Sequence, residues 1–320
     1  MSWTWNKSGH WLRKLGEGLV FLWILSVVSF GIVKLAPGDI VMSLLRIDTV
    51  AVTTDEIAAL REELGFNKPL LVQYGTYMRG LLHLDLGESM MTGKSVVYEL
   101  RKAFPATFLV AGVSLLWTVV VTLLLGALSA RYAGTWIDRL CAAFCLMGAS
   151  VPTFWLGLLL LNVFAVHLRL LPSMGLEDWR GLILPTISLA VAIAPPYVKI
   201  FRSSLLETER QEFVRAARAR GIAEGAIFLR HVLRGSLIPL VTILGVSMGS
   251  LLGGTVIVEI IFGIPGVGKL AVEAVTRRDY AIIQGYVLFI GLFVFLINLA
   301  VDLSYRYLDP AIRLKEAERR

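Results

Sequence analysis

Residues 212–221 read EFVRAARARG and continue as IAEGAIFLRHVLRGSLIP to Pro239. The stretches on either side are apolar for about 20 residues at a time, the length that crosses a bilayer. This segment is therefore a charged island, and something outside the membrane must touch it. On a helical wheel with Leu206 at zero, Phe213 and Ala217 fall within about 20° of it, flanked by Val214 and Ala216. Thr208, Gln211, Arg215 and Arg218 take the other side. Gly221 is placed to end this helix as a C-terminal glycine does, and Ala223–Arg234 can form a second short helix. The spacing predicts a helix-turn-helix along the membrane surface, with small alanines that let a partner's backbone come close.

The rest of the chain is an integral membrane protein by composition. It has 320 residues, of which 56% are hydrophobic and 17% charged, and its mean hydropathy is +0.72. Six apolar segments are long enough to span, at about 18–36, 105–129, 141–166, 182–201, 237–261 and 282–302. The first follows Lys7, Arg13 and Lys14 as a signal peptide would, but it is too long and runs into Pro37-Gly38-Asp39 rather than a cleavage site. It reads as a retained first helix. Six spans put both termini on one side, and that side carries 17 Lys/Arg in its loops and tails against 5 in the two short opposite loops. By the positive-inside rule the termini and the 202–236 loop are cytoplasmic. The net charge of +7 is thus a topological signal, not a nucleic-acid footprint.

The divisions expected are a cytoplasmic tail with the first span (1–36), an external loop or cap (37–104) and a core of five spans (105–320). In the cap, Thr53 and Glu56 are spaced as a capping box before EIAALREELG, with Gly65 as the stop. Residues 72–82 read as a second amphipathic helix carrying Tyr74 and Tyr77.

Several residues interrupt the spans. Pro152, and the pair Pro195 and Pro196, remove backbone donors and bend or open a helix, which a membrane tolerates only where protein or water satisfies the freed carbonyls. Gly253 and Gly254, near Ser247, Gly249 and Ser250, permit close helix approach. All are candidates for lining a water-filled path, and plain helix packing accounts for each equally well. Glu259 and Asp302 are acids at the ends of apolar spans and further candidates for that path, since an intramembrane acid points to function, although span ends lie within reach of interfacial water. Cys141 and Cys145 lie four apart on one helix face, poor disulfide geometry that matches no metal motif. The four histidines are dispersed, and no catalytic arrangement can be argued from spacing.

One stretch invites misreading. GIPGVGKL at 263–270 sets Gly263, Gly268 and Lys269 at the spacing of a phosphate-binding loop. However, Leu270 stands where a Ser or Thr should hold magnesium, no strand leads in, and topology puts the segment outside.

The spelling EFVRAARARG…LRHVLRGSLIP resembles the cytoplasmic loop by which importer-type ABC permeases dock on their ATPases. The matching positions are Ala216, Ala217, Gly221, Ile238 and Pro239, with Glu212 and Phe213 opening the helix. In the generic loop signature a glutamate stands where this chain has Arg215; an acid appears three residues earlier, at Glu212. Further stretches resemble the peptide/nickel branch: LAPGD (35–39), LLVQYGTYMRGLLHLDLGESMMTGKSV (70–96), PAT (105–107), GASVPTFWLG (148–157), LPSMG (171–175), FGIPGVGKL, RRDYAIIQG (277–285) and LDPAIR (308–313).

This resemblance implies a type I ABC importer permease of six transmembrane helices, with a long external loop after the first, in a bacterial inner membrane. It also implies a homologous second permease subunit, two ABC ATPase subunits that hold ATP and magnesium, and an extracytoplasmic solute-binding protein. No cofactor or metal is expected in this chain, and no catalysis. The stretches at 71–87 and 171–186 look closest to nickel permeases, so nickel or a metal chelate is the expected cargo, with peptides as the alternative. A secondary transporter would need acids deep within its spans, and a channel would need no docking loop.

Overall fold

The computed structural model describes residues 5–35, 59, 62 and 67–308. The capping box at Thr53 and the stop at Gly65 lie outside the described residues. Among those described there is no strand, only an isolated bridge between Glu88 and Ser95. The helices are α1 (Trp5–Leu35), α2 (Leu70–Leu82), α3 (Val96–Arg131), α4 (Trp136–Ser150), α5 (Thr153–Leu160), α6 (Ile183–Glu209), α7 (Glu212–Ala219), α8 (Glu224–Ile227), α9 (Leu233–Ile261), α10 (Val267–Arg277) and α11 (Tyr280–Leu308).

Within the described residues the expected spans are helical, the third of them broken at 151–152. Within the described residues Arg13–Leu35, Val96–Arg131, Trp179–Glu209 and Tyr280–Val301 are long and apolar enough to cross a membrane, and α4 with the α5 segment to His167 makes a fifth candidate bent by 100°. α9 supplies 29 residues with no charge between Arg234 and Glu259.

One helix start differs from expectation: the second spanning helix begins at Val96, nine residues before Pro105, which sits inside it. The prolines also divide in their effect. Pro152 stands at the 100° break, where Val151 is forced into the extended region that precedes a proline. α6, by contrast, runs through Pro195 and Pro196 without interruption.

Cα packing divides the chain into two compact units, one of Met1–Pro105 with Lys269–Leu296, the other of Ala106–Gly268 with Ile297–Arg320. In the first, α2 lies along α1: the Ser26 and Tyr74 hydroxyls are 2.8 Å apart, the Phe30 ring meets Tyr74 edge-on at 5.4 Å, and Lys34 Nζ donates to Gln73. Asp279 anchors the 87–96 turn by accepting from the Ser89 hydroxyl at 2.5 Å, and it also accepts from the Ile282 N–H in the first turn of α11.

The second unit is organised on α6. Phe201, Leu205 and Tyr197 form one buried cluster, and Leu184 and Leu189 belong to another with Val110, Val258, Phe262 and Ile264. The close approaches fall at Gly126 and Gly148, where a Cβ would stand 2.7 Å from the Phe201 ring and 2.8 Å from the Val191 carbonyl oxygen. Among the described residues, Gly253 and Gly254 meet nothing closer than Leu189, at 3.6 Å from a Cβ on Gly254. Arg202 holds Asp138 with two donors, at 2.9 and 2.6 Å, which fixes the short 132–135 connection against α6.

Replacing Gly148 by Val forces α4 off a backbone atom of α6, with no flexible side chain to yield. The expected cost is about 1–3 kcal/mol, read as a lower midpoint of thermal unfolding in detergent; an unchanged midpoint would show that the contact is not tight.

Candidate functional site

The 202–236 stretch is less a loop than three helical pieces. α6 extends to Glu209, so Leu206 belongs to the spanning helix, and the chain turns at Arg210-Gln211 before α7 begins. The single helix expected from Leu206 onward is thus two, because Gln211 is extended and resets the wheel. The buried face of α7 is Val214 (0% exposed) and Ala217 (6%), set into the cluster of Tyr197, Phe201, Leu205, Ile227, Val232 and Leu240. Phe213 is 50% exposed, and Ala216 and Glu212 are exposed beside it. Of the alanine pair, Ala217 seats the helix and only Ala216 remains to meet a partner. The wheel alone missed this, since a break of two residues rotates everything after it.

Gly221 terminates α7 as expected, at φ +74°. Its N–H donates to the Arg218 carbonyl at 3.0 Å and that of Ile222 to the Ala217 carbonyl at 3.3 Å, the paired bonds of a left-handed glycine cap. Arg218 ties the pieces together, donating to Glu224 at 2.7 Å and to Glu209 at 3.0 Å. The guanidinium hydrogen bond holds the Glu224 carboxyl below its ordinary range. That contact is complete above the ordinary carboxylate pKa and is lost as pH falls through the lowered one. These groups are exposed, so the network sets geometry more than stability.

The second helix is not short. From Glu224 the chain is helical through a π turn at Phe228–Val232 and straight on into α9, which contains Pro239. The side chain of Ile238 lies outside the described residues. The surface so formed shows Phe213, Ala216, Ile222, Phe228 and Leu229 among Arg210, Arg215 and Arg220. Beside it opens a groove of about 420 Å³ lined by Ser203, Leu206, Glu207, Arg210, Gln211 and Glu212. An exposed apolar surface with a basic rim can dock a protein.

The other singled-out residues are not gathered on it. The side chain of Asp302 lies outside the described residues. Glu259, expected within reach of interfacial water, is 0% exposed. It accepts from the Thr107 hydroxyl at 2.5 Å, and that hydroxyl in turn accepts from the Val267 N–H at 2.9 Å. A Cβ on Gly266 would fall 2.2 Å from the Glu259 carboxyl carbon, and one on Gly268 would fall 2.9 Å from its Oε2. The glycines of this turn therefore make room for neighbours in their own chain, the Glu259 carboxyl at Gly266 and both Val256 and that carboxyl at Gly268, and a helix, not a strand, leads into them.

With this geometry in hand, comparison with known proteins is specific. Residues 122–314 match the family described as binding-protein-dependent transport system inner membrane component, and residues 10–111 match that family's N-terminal component. A glutathione transport system permease protein of Pectobacterium atrosepticum is 37% identical over 96% of this chain and 99% of its own length. Another of that name, from Salmonella typhimurium, is 38% identical over 95% and 98%. Among solved structures, the inward-facing MetNI methionine ABC transporter aligns with TM-score 0.56 at 21% identity, over 66% of this chain and 97% of that one. An amino acid ABC transporter crystallised with histidines aligns with TM-score 0.53 at 13% identity, over 66% and 94%. At those identities the likeness establishes the fold, that of type I ABC importer permeases.

The cap on α7 gives a direct test. Gly221→Ala places a Cβ in the left-handed region and should cost about 1–2 kcal/mol, with Gly221→Asn losing less because asparagine tolerates that region. Equal unfolding midpoints for all three proteins would contradict the cap.

Proposed function

Because this chain belongs to the binding-protein-dependent transport system inner membrane components, we propose that it is the first permease subunit of an ATP-driven importer of small peptides of the glutathione kind. Membership in the family makes it a multi-pass permease of the inner membrane and a transport component, not an enzyme. The observation that carries the cargo is the end-to-end likeness to permeases named for glutathione transport. It outweighs the local look of residues 71–87 and 171–186 on which the expectation of nickel rested, so the peptide alternative becomes the main reading.

In this reading the termini are cytoplasmic, a homologous permease completes the pathway, two ATPases bind inside and a solute-binding protein delivers cargo outside. ATP closes the ATPase pair and moves whatever is seated on it. α7 is the seated element, with Glu212, Phe213, Ala216 and Gly221 on or beside the contact. It transmits the motion because Val214 and Ala217 are locked into α6 and because the helix from Glu224 continues into α9 without a flexible linker. A push at the surface thus reaches two spanning helices.

The test is uptake of labelled glutathione by cells lacking this subunit and then regaining it with its partners. Restored uptake that excess dipeptide competes away and nickel does not is expected; restored nickel uptake without peptide uptake would overturn the cargo. Ala216→Arg, on the exposed face, should leave the amount of membrane-inserted subunit unchanged while lowering uptake about ten-fold or more. Normal uptake in that variant would mean that α7 is not the coupler. Ala217→Arg would not serve, since it drives a charge into the buried cluster.

A further inference from the structure

The functional reading uses the surface of α7 and leaves the buried acid at the far end of α9 without a task. Glu259 is an acid in an apolar span with no exposure, on a helix whose preceding 24 residues carry no charge. Burying such a group without compensation is costly. The surroundings are arranged around it.

The Thr107 hydroxyl, itself 1% exposed, donates to Oε1 and accepts from the N–H of Val267, the first residue of α10. Three elements are joined through one polarised chain: the 106–131 part of α3, the end of α9 and the start of α10. The main chain repeats the bond, as the Glu259 carbonyl accepts from the Ile264 N–H at 2.8 Å. Three residues after Glu259, the Phe262 carbonyl accepts from the Gly175 N–H at 2.8 Å, which adds the 168–178 segment before α6. Gly266 and Gly268 complete the enclosure, since a side chain on either would strike the carboxyl group.

We propose that Glu259 is a positioning residue for transport, the latch that makes the 262–267 turn, the facing part of α3 and the end of α9 move as one body. The proposal rests on the importer reading. Its physical content is that a latch bonded through a buried carboxyl group and one hydroxyl is strong while water is excluded, and that the amide isostere is not equivalent. Glutamine at 259 can accept from Thr107, but its amide nitrogen then faces the first turn of α10, where N–H donors also point. The block loosens there, and motion received from α7 is dissipated within α9 instead of reaching the turn.

The experiment uses the assembled transporter, this chain with its partner permease and ATPases, in proteoliposomes with its binding protein. Two quantities are read: glutathione carried per ATP hydrolysed, and amide exchange across 262–268. Glu259→Gln, Thr107→Val and Gly266→Ala should each lower the carried-to-hydrolysed ratio about ten-fold and speed exchange in the turn. Thr107→Ser, which keeps the hydroxyl, should retain the ratio. The Glu259→Gln, Thr107→Val pair should fall no further than either single change, because both break one chain. A residue that only supports the fold would lower uptake and hydrolysis together and leave the ratio unchanged; that result overturns the latch, as does faster exchange with a normal ratio. Should the unaltered transporter carry no glutathione, the cargo reading fails by itself, and the exchange data still decide: unchanged protection of 262–268 in Glu259→Gln overturns the latch.

Discussion

Helices in a bilayer gain little from leaving lipid unless they touch one another more closely than acyl chains can. In the unit built of residues 106–268 and 297 onward, that contact is made on α6. Gly126 and Gly148 bring neighbouring helices onto it at distances where even a methyl group would collide with Phe201 or with a backbone oxygen. Both of its ends are spoken for as well. Toward its N-terminus the Leu184–Leu189 cluster packs with Val110 and Val258, and toward its C-terminus Phe201 and Leu205 receive Val214 and Ala217. The surface helix is therefore an outgrowth of the spanning core, not an appendage of it. Its orientation is set by the same buried residues that hold the spans.

That dependence explains why a segment rich in arginine is ordered on a membrane surface. Four features act in series: the turn at Arg210-Gln211, the apolar seat of α7, the glycine cap at 221 and the Arg218 bridge from Glu209 to Glu224. None is strong alone. Together they leave α7 no way to swing without displacing either the end of α6 or the start of the helix that becomes α9.

The positions of the apolar helices were legible because apolar length is a demand of the bilayer, which each segment must meet by itself. Gly221 was legible for a similar reason, as few residues other than glycine occupy its backbone conformation cheaply. The face of α7 was not, since a two-residue turn rotates the wheel and nothing in the spelling of Arg210-Gln211 announces it. Pro152 and the Pro195-Pro196 pair look alike in sequence, yet one marks a sharp break and the other sits inside an unbroken helix; the difference lies in whether surrounding helices hold the chain straight. The close approaches onto α6 at Gly126 and Gly148 were not legible, because which glycine faces a neighbour depends on helix rotation, a tertiary quantity. Glu259 could be singled out as an acid in an apolar span, but its partner Thr107 lies 152 residues away, beyond any local pattern.

The enclosure of that acid also constrains how the chain can change over generations. Gly266 is small because a carboxyl group occupies the space its side chain would fill, whereas Gly268 is also crowded by the Val256 backbone. A lineage that loses the acid releases position 266 alone, and alanine or serine can drift into it at no steric cost from that carboxyl. Once that has happened, regaining the acid requires a reversion at 266 first. The two sites form an evolutionary ratchet, so among descendants of this sequence they should change as a pair and in one order, acid first and glycine after.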